Sequence, residues 1–238
     1  MPHNGSKKAF MFSTRLLAAA SLSLLICGCA AKNLERRSAI VPSSSISKAR
    51  SYGLVDVRAA IPDISVDLRY ATKHNVTGHP IYPKDMPCLL RASTVERLKK
   101  AQASLRAQGY GLRIWDAWRP PEAQQLLYRH GGSTGMFLDP RVGWSRHCGG
   151  ISLDATLVDA HGREQRMPTY FDENFAQASS NELPRDPHVR QNLLILHQAM
   201  KEAGLKPLAA EWWHFDDLDF LYSSVPVISG ASLGLPIH

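Results

Sequence analysis

Two short clusters constrain this chain more than any other feature: Ser145-Arg146-His147-Cys148-Gly149-Gly150-Ile151-Ser152-Leu153-Asp154 and Glu211-Trp212-Trp213-His214-Phe215. Two imidazoles and one carboxylate, with a fourth position left for water, make a zinc site of the catalytic type. A further carboxylate that does not bind the metal then takes the proton from that water. His147, Asp154 and His214 can supply the ligands, and Glu211 the base. A fold that realises this must bring the two clusters into contact. Spacing adds local demands. His147 and Asp154 are seven residues apart, an odd number, so one continuous strand would turn them to opposite faces. Gly149-Gly150 between them permits a turn. Glu211 and His214, three apart, also need a bulge or turn to converge.

The N-terminus reads as an export signal. Lys7, Lys8 and Arg15 precede an apolar run of 12 residues, Leu16 to Cys27, and no acid lies among them. That run is short for a membrane span, which needs about 20 residues, and fits the apolar core of a leader. It ends in Ile26-Cys27-Gly28-Cys29, which resembles the lipobox of bacterial lipoproteins. The expectation is cleavage after residue 28, acylation of Cys29 and anchoring in the periplasm. Ala30 rather than Asp after the cysteine favours the outer membrane. Removing the leader takes away three of the 28 Lys+Arg and none of the 21 Asp+Glu, so the formal +7 falls to +4. With no basic stripe interleaved with aromatics, this excludes a nucleic-acid partner.

Residues 29–51 are polar and Ser-rich and read as a flexible tether. A single domain is expected over 52–223, followed by a loosely ordered tail over 224–238. Ser93-Thr94-Val95-Glu96 has a capping-box pattern. It would open a helix with Val95, Leu98, Ala101 and Leu105 on one face, closing near Gly109. Leu112 to Ala117 and Ile151 to Asp159 read as strands. Pro121 opens a second helix, PEAQQLLYRHG, and Val189 to Ala203 forms a third. The segment from Leu205 to Phe215 ends extended. Strands interleaved with helices, without βαβ regularity, give an α+β class with a small mixed or antiparallel sheet and flanking helices.

The first cluster resembles the S-x-H-x-x-G-x-A-x-D motif of the D-alanyl-D-alanine dipeptidase family of zinc peptidases, and the second its E-x-x-H element. Asp67-Leu68-Arg69-Tyr70-Ala71-Thr72, Asn75-Val76-Thr77-Gly78, Asp116-Ala117-Trp118-Arg119-Pro120 and Phe171-Asp172 match further family segments in order. The resemblance implies the fold shared with other zinc D,D-peptidases and Hedgehog-like domains. It implies one zinc ion per chain on His147, Asp154 and His214, with Glu211 as general base and then acid. Arg119 would stabilise the oxyanion. Asp172 and Tyr70 would hold the free ammonium of a D,D-dipeptide substrate, and Ser145 would hydrogen-bond that substrate. Ser152 stands where the motif has alanine, and the residues after Asp172 depart from the family's usual continuation.

The rival readings are a D,D-carboxypeptidase acting on peptidoglycan stems and a wall-binding lipoprotein without activity. An ammonium clamp argues against the first, and an intact base and ligand set against the second. Trp212 and Trp213 read as structural walls. Cys88 and Cys148 either form a disulfide, as an oxidising compartment allows, or remain two thiols.

Overall fold

The structure is a computed structural model that describes residues 43–173 and 175–237, so the leader and Cys29 lie outside it. Among the described residues, no helix is long and apolar enough to cross a membrane. The chain enters through α1 (Ser43–Ser51), β1 (Leu54–Asp56), α2 (Val57–Ala60) and β2 (Ser65–Val66). Next come β3 (Leu89–Arg91), α3 (Ala92–Arg106), β4 (Tyr110–Asp116) and α4 (Pro121–Gly131). β5 (Ser152–Asp159), α5 (Pro187–Glu202), β6 (Leu205–Pro207), β7 (His214–Asp217) and α6 (Gly230–Leu233) follow.

Five strands form one sheet in the order β2-β4-β5-β7-β6, and β1 pairs with β3 in a separate ribbon. Only the β2–β4 pairing is parallel. The mixed sheet with flanking helices is the α+β class expected from the sequence. β5 lies at its centre, and every residue in it except Asp159 is buried. Its alternation sends Ser152, Asp154 and Thr156 to one face and Leu153, Ala155 and Leu157 to the other. The apolar set joins Val95 and Leu98 of α3 and Leu193, Leu196 and Met200 of α5 in the core. Asp154, in the polar set, lines the site.

α4 opens on Pro121 as its sequence demands. The capping box at α3 does not form. That helix starts at Ala92 without a side-chain cap. Thr94 instead turns inward and donates to Asp217 Oδ2 at 2.7 Å. The fully buried Asp217 carboxylate needs such donors, and this need outweighs a local cap.

Both ends of the domain are more ordered than the sequence suggests. Part of the expected tether is α1, which packs on α6 and buries Ala49. The expected tail carries α6 and buries Ile228, Leu233 and Leu235. Ile228 N donates to Cys148 O at 3.2 Å, and Trp118 Nε1 donates to Ile228 O at 3.1 Å. The tail therefore grips the residue after His147 and the residue before Arg119. Neither helix shows in a local pattern, because short helices gain their stability from tertiary packing. Cys88 and Cys148 are free, buried thiols, so the disulfide alternative does not hold. Burial pushes the Cys148 thiol up to about 12.

Candidate metal centre

His147 is not on the sheet. It sits in a 3-10 turn, Arg146–Gly149, opened by Ser145, whose hydroxyl accepts from His147 N at 3.4 Å. Gly150 closes the turn at φ 71, a left-handed conformation that suits glycine. A Cβ there would also meet Leu54 Cδ2 at 2.6 Å. Asp154 then follows on β5. This resolves the odd spacing: the turn, rather than a continuous strand, sets the angle between His147 and Asp154. The second cluster is brought in by register. Asp154 pairs directly with His214 across β5 and β7. Glu211 precedes β7 and is turned back toward it by His214 N donating to Glu211 O at 3.2 Å.

His147 Nε2, His214 Nδ1 and Asp154 Oδ1 converge. The two nitrogens are 3.1 Å apart, and they lie 3.3 and 3.1 Å from the carboxylate oxygen. The partners of the other ring nitrogens fix the tautomers. His147 Nδ1 lies 2.7 Å from Ala117 O, which can only accept, so Nδ1 carries the proton. His214 Nε2 lies 3.0 Å from Asp216 Oδ1 and donates to that carboxylate. Two imidazole lone pairs and a carboxylate oxygen are thus left facing one point, an arrangement that a divalent cation satisfies. Ligands about 2.0–2.1 Å from a tetrahedral ion stand roughly 3.3 Å from one another, close to the spacing here. Among the described residues this is the one such group of potential ligands found. The donor set fits the metal.

Arg119, 5% exposed, spans the adjoining wall. Its Nε donates to Asp116 Oδ2 at 2.8 Å, Nη1 to Gln124 Oε1 at 2.9 Å and Nη2 to Asp154 Oδ2 at 3.4 Å. Burial alone would weaken its charge, but the Asp116 and Asp154 carboxylates hold it firmly protonated. The Arg119–Asp116 ion pair is therefore also the support that aims the guanidinium. Tyr82 donates to the other oxygen of Asp116 at 2.9 Å. Glu211 Oε2 lies 4.0 Å from His214 Nδ1, and burial raises the Glu211 carboxyl above its usual range.

Tyr70 and Asp172 meet farther along the cleft, with Tyr70 Oη donating to Asp172 Oδ1 at 3.3 Å and Val76 N to Oδ2 at 3.4 Å. Burial pushes Asp172 up to about 8; Arg119 opposes the shift, while Asp154 and Glu211 add to it. Asp172 also has φ 57, a strained conformation for an aspartate, of the kind found where function demands an exact placement. Phe171 anchors this position by packing on Tyr70, Trp115 and Trp213. All eight residues singled out in the described chain line one cleft of about 210 Å³: Tyr70, Arg119, Ser145, His147, Asp154, Asp172, Glu211 and His214. Trp213 forms part of its wall, while Trp212 is fully buried and donates to Thr169 Oγ1 at 3.0 Å.

A family profile described as D-ala-D-ala dipeptidase, of the M15 peptidases, matches residues 50–226. The chain belongs to this family. It is 34% identical over 163 residues to a D-alanyl-D-alanine dipeptidase of Escherichia coli (strain K12), covering 68% of this chain and 83% of that protein. A D-alanyl-D-alanine dipeptidase of Enterococcus faecalis (strain ATCC 700802 / V583) is 27% identical over 177 residues, covering 66% of this chain and 87% of that one. Among solved structures, the LdcB LD-carboxypeptidase matches with a TM-score of 0.42 and 16% identity, over 70% of this chain and 68% of its own.

Three supports of this dipeptidase-family site escaped the sequence reading. Asp216 and the Ala117 carbonyl hold the two imidazoles, and Gln124 holds Arg119. Asp216 left a usable signal: it lies two residues from His214 on a strand, and so on the same face. Gln124 left none, because it joins Arg119 through the angle at which α4 leaves β4.

Proposed function

We propose that the chain is a zinc-dependent dipeptidase that cleaves D-Ala-D-Ala or a closely related dipeptide in cell-wall peptide turnover. The observation that carries this reading is the pairing, in one small cleft, of a metal-ligand trio with a buried Tyr70–Asp172 pair. A volume of about 210 Å³ lies below the roughly 300–1,000 Å³ typical of drug-sized ligand sites, so it suits a short substrate. His147, Asp154 and His214 would hold the zinc, which supplies Lewis acidity to a peptide carbonyl and acidifies water.

The chain's own residues do the rest. Asp172 and Tyr70 bind the substrate ammonium and set the register of its peptide bond. Glu211, whose burial makes it a better proton acceptor, takes the proton of the attacking water at its carboxylate and returns it to the leaving amine. Arg119 faces the oxyanion with a guanidinium already oriented by Asp116 and Gln124, so little reorganisation is needed as charge develops. Ser145 borders the same cleft and is offered as a substrate hydrogen-bond partner. The leader and the Ile26-Cys27-Gly28-Cys29 pattern support lipidation at Cys29 and a periplasmic, outer-membrane location. Wall turnover would supply the dipeptide there, which favours recycling as the role.

The test uses a soluble form beginning at Ala30, with its zinc content assayed, and follows alanine release from D-Ala-D-Ala, L-Ala-L-Ala and N-acetyl-D-Ala-D-Ala. Cleavage of D-Ala-D-Ala alone, abolished by chelator, is expected. Preference for the acetylated substrate would replace the dipeptidase with a carboxypeptidase. A zinc-loaded protein that cleaves none of them would favour a binding role.

A further inference from the structure

Ser152 stands where the family motif has alanine, and the strand register gives it a task. Along β5 and β7, Asp154 pairs with His214, and two residues away Ser152 pairs with Asp216. A step of two residues on both strands keeps the second pair on the same face as the first. Ser152 is fully buried, and its hydroxyl donates to Asp216 Oδ1 at 2.6 Å. The same oxygen receives His214 Nε2 at 3.0 Å. The other oxygen, Oδ2, lies 3.7 Å from Arg146 Nε. Arg146 is itself tied to the Phe220 and Leu221 carbonyls at 2.8 and 2.5 Å. The Asp216 carboxylate is thus held from both sides, and Ser152 is the shortest of its contacts.

With alanine at 152, Asp216 Oδ1 would keep the imidazole as its only neighbour among these groups. The carboxylate could then turn about its side-chain torsions and carry the His214 ring with it. With serine, the carboxylate is pinned and so is the ring plane. His214 is then kept in the tautomer that protonates Nε2 and leaves Nδ1 facing Asp154 and His147. Groups that orient a metal-bound imidazole in this way typically change metal affinity or activity about 10–100-fold when removed.

We propose that Ser152 is a positioning residue for the metal centre, acting through Asp216 to fix the orientation and tautomer of His214. The inference rests on the reading of His147, Asp154 and His214 as zinc ligands. The test measures the zinc dissociation constant of the full-length protein by competition with a chromophoric chelator. It compares wild type, Ser152→Ala, Asp216→Asn and the double variant. Ser152→Ala is expected to weaken zinc binding about tenfold in a metal-free protein that still unfolds cooperatively. Asp216→Asn should weaken it at least as much. The double variant should be no weaker than Asp216→Asn, because Ser152 acts only through that carboxylate. Cobalt substitution adds a spectroscopic readout, since a reoriented imidazole shifts the visible bands of the bound ion.

Zinc bound by wild type and held within twofold by Ser152→Ala would overturn this inference alone. Additive losses in the double variant would also overturn it, since they would mean that Ser152 acts by another route. A wild-type chain that takes up no zinc would overturn the ligand assignment and this inference together.

Discussion

His147 Nε2 and His214 Nδ1 stand 3.1 Å apart, each left with its lone pair by the bond that its other ring nitrogen makes. Without a cation, the His214 Nδ1 lone pair takes up a proton instead. Burial works against a charged imidazole at His214, but its bonds to Asp154 and Asp216 push it up to about 10. A group raised in the folded state stabilises the metal-free domain fully below its unfolded value of about 6.5 and loses that contribution as pH rises toward 10. Zinc must displace this proton. The zinc dissociation constant is therefore expected to fall about tenfold per pH unit between roughly pH 7 and 9, with proton release on binding. Chelator competition at several pH values checks this. A flat profile would mean that His214 carries no extra proton in the metal-free protein.

Glu211, the proposed proton carrier, lies 4.0 Å from His214 Nδ1 and outside the trio of candidate ligands. Glu211→Gln is expected to retain zinc and lose roughly 10²–10⁴-fold in kcat. Burial raises the Glu211 carboxyl, so in wild type kcat/KM should fall with decreasing pH at an acid limb above the value of about 4.3 for exposed Glu. That limb should vanish from the residual activity of the variant. Steady-state rates across pH on zinc-loaded protein decide both points, and unchanged turnover would remove Glu211 from the mechanism.

How much of this centre was legible in the sequence depended on the kind of contact. His147, Asp154, His214 and Glu211 could be read because motif spacing and a glycine pair encode a turn and a strand, which are local properties. The faces of α3 and β5 were also visible, since periodicity is local. Asp216 was readable in principle from its two-residue offset. Gln124 and the Ala117 carbonyl were not, because their roles arise only once α4 and the His147 turn have packed against the end of β4. The α3 cap differs from its sequence pattern for a related reason: a distant buried carboxylate, Asp217, competes for Thr94.

Asp172 and Tyr70, bonded to each other in the cleft, are the proposed holders of the substrate's free ammonium. Burial holds a proton on Asp172, and an arriving ammonium would draw it off, so replacing Asp172 by Asn keeps the shape and removes the charge that forms on binding. Loss of one partner of a buried charge pair costs roughly 2–5 kcal/mol, or about 30-fold or more in kcat/KM. D-Ala-D-Ala cleavage should fall by that amount. Any slow cleavage of N-acetyl-D-Ala-D-Ala should be unchanged or improved, because the acetyl group brings no charge to pair. Equal losses on both substrates would place the ammonium elsewhere.

Gln124 joins Arg119, the proposed partner of the oxyanion, to the cleft wall. It accepts from Arg119 Nη1 at 2.9 Å, and its Nε2 donates to Leu138 O at 3.0 Å. Gln124→Leu, close in volume, removes both bonds and frees one branch of the guanidinium. A hydrogen bond to a charged group contributes about 1.5–3 kcal/mol, so kcat should drop roughly 10–100-fold. Zinc content should stay that of wild type, which separates this effect from damage to the metal site. A variant with wild-type kcat would show that Asp116 alone suffices to aim Arg119.

α6 packs against α1 near the end of the domain. Leu233 is fully buried on α6, in the segment that read as a loose tail. If that segment were disordered, truncating its side chain would cost nothing. Packed as it is, with Leu235 and Ile228 also buried and α1 alongside, Leu233→Ala should lower domain stability by about 2–5 kcal/mol. The Ile228 backbone binds both Cys148 O and Trp118 Nε1, so loosening this end should also reach the site. Urea unfolding of the zinc-loaded protein checks the stability, and the chelator-driven zinc release rate checks the coupling. The variant should release zinc faster than wild type at a urea concentration where both remain folded. Equal stabilities would return residues 224–237 to the status of a tail.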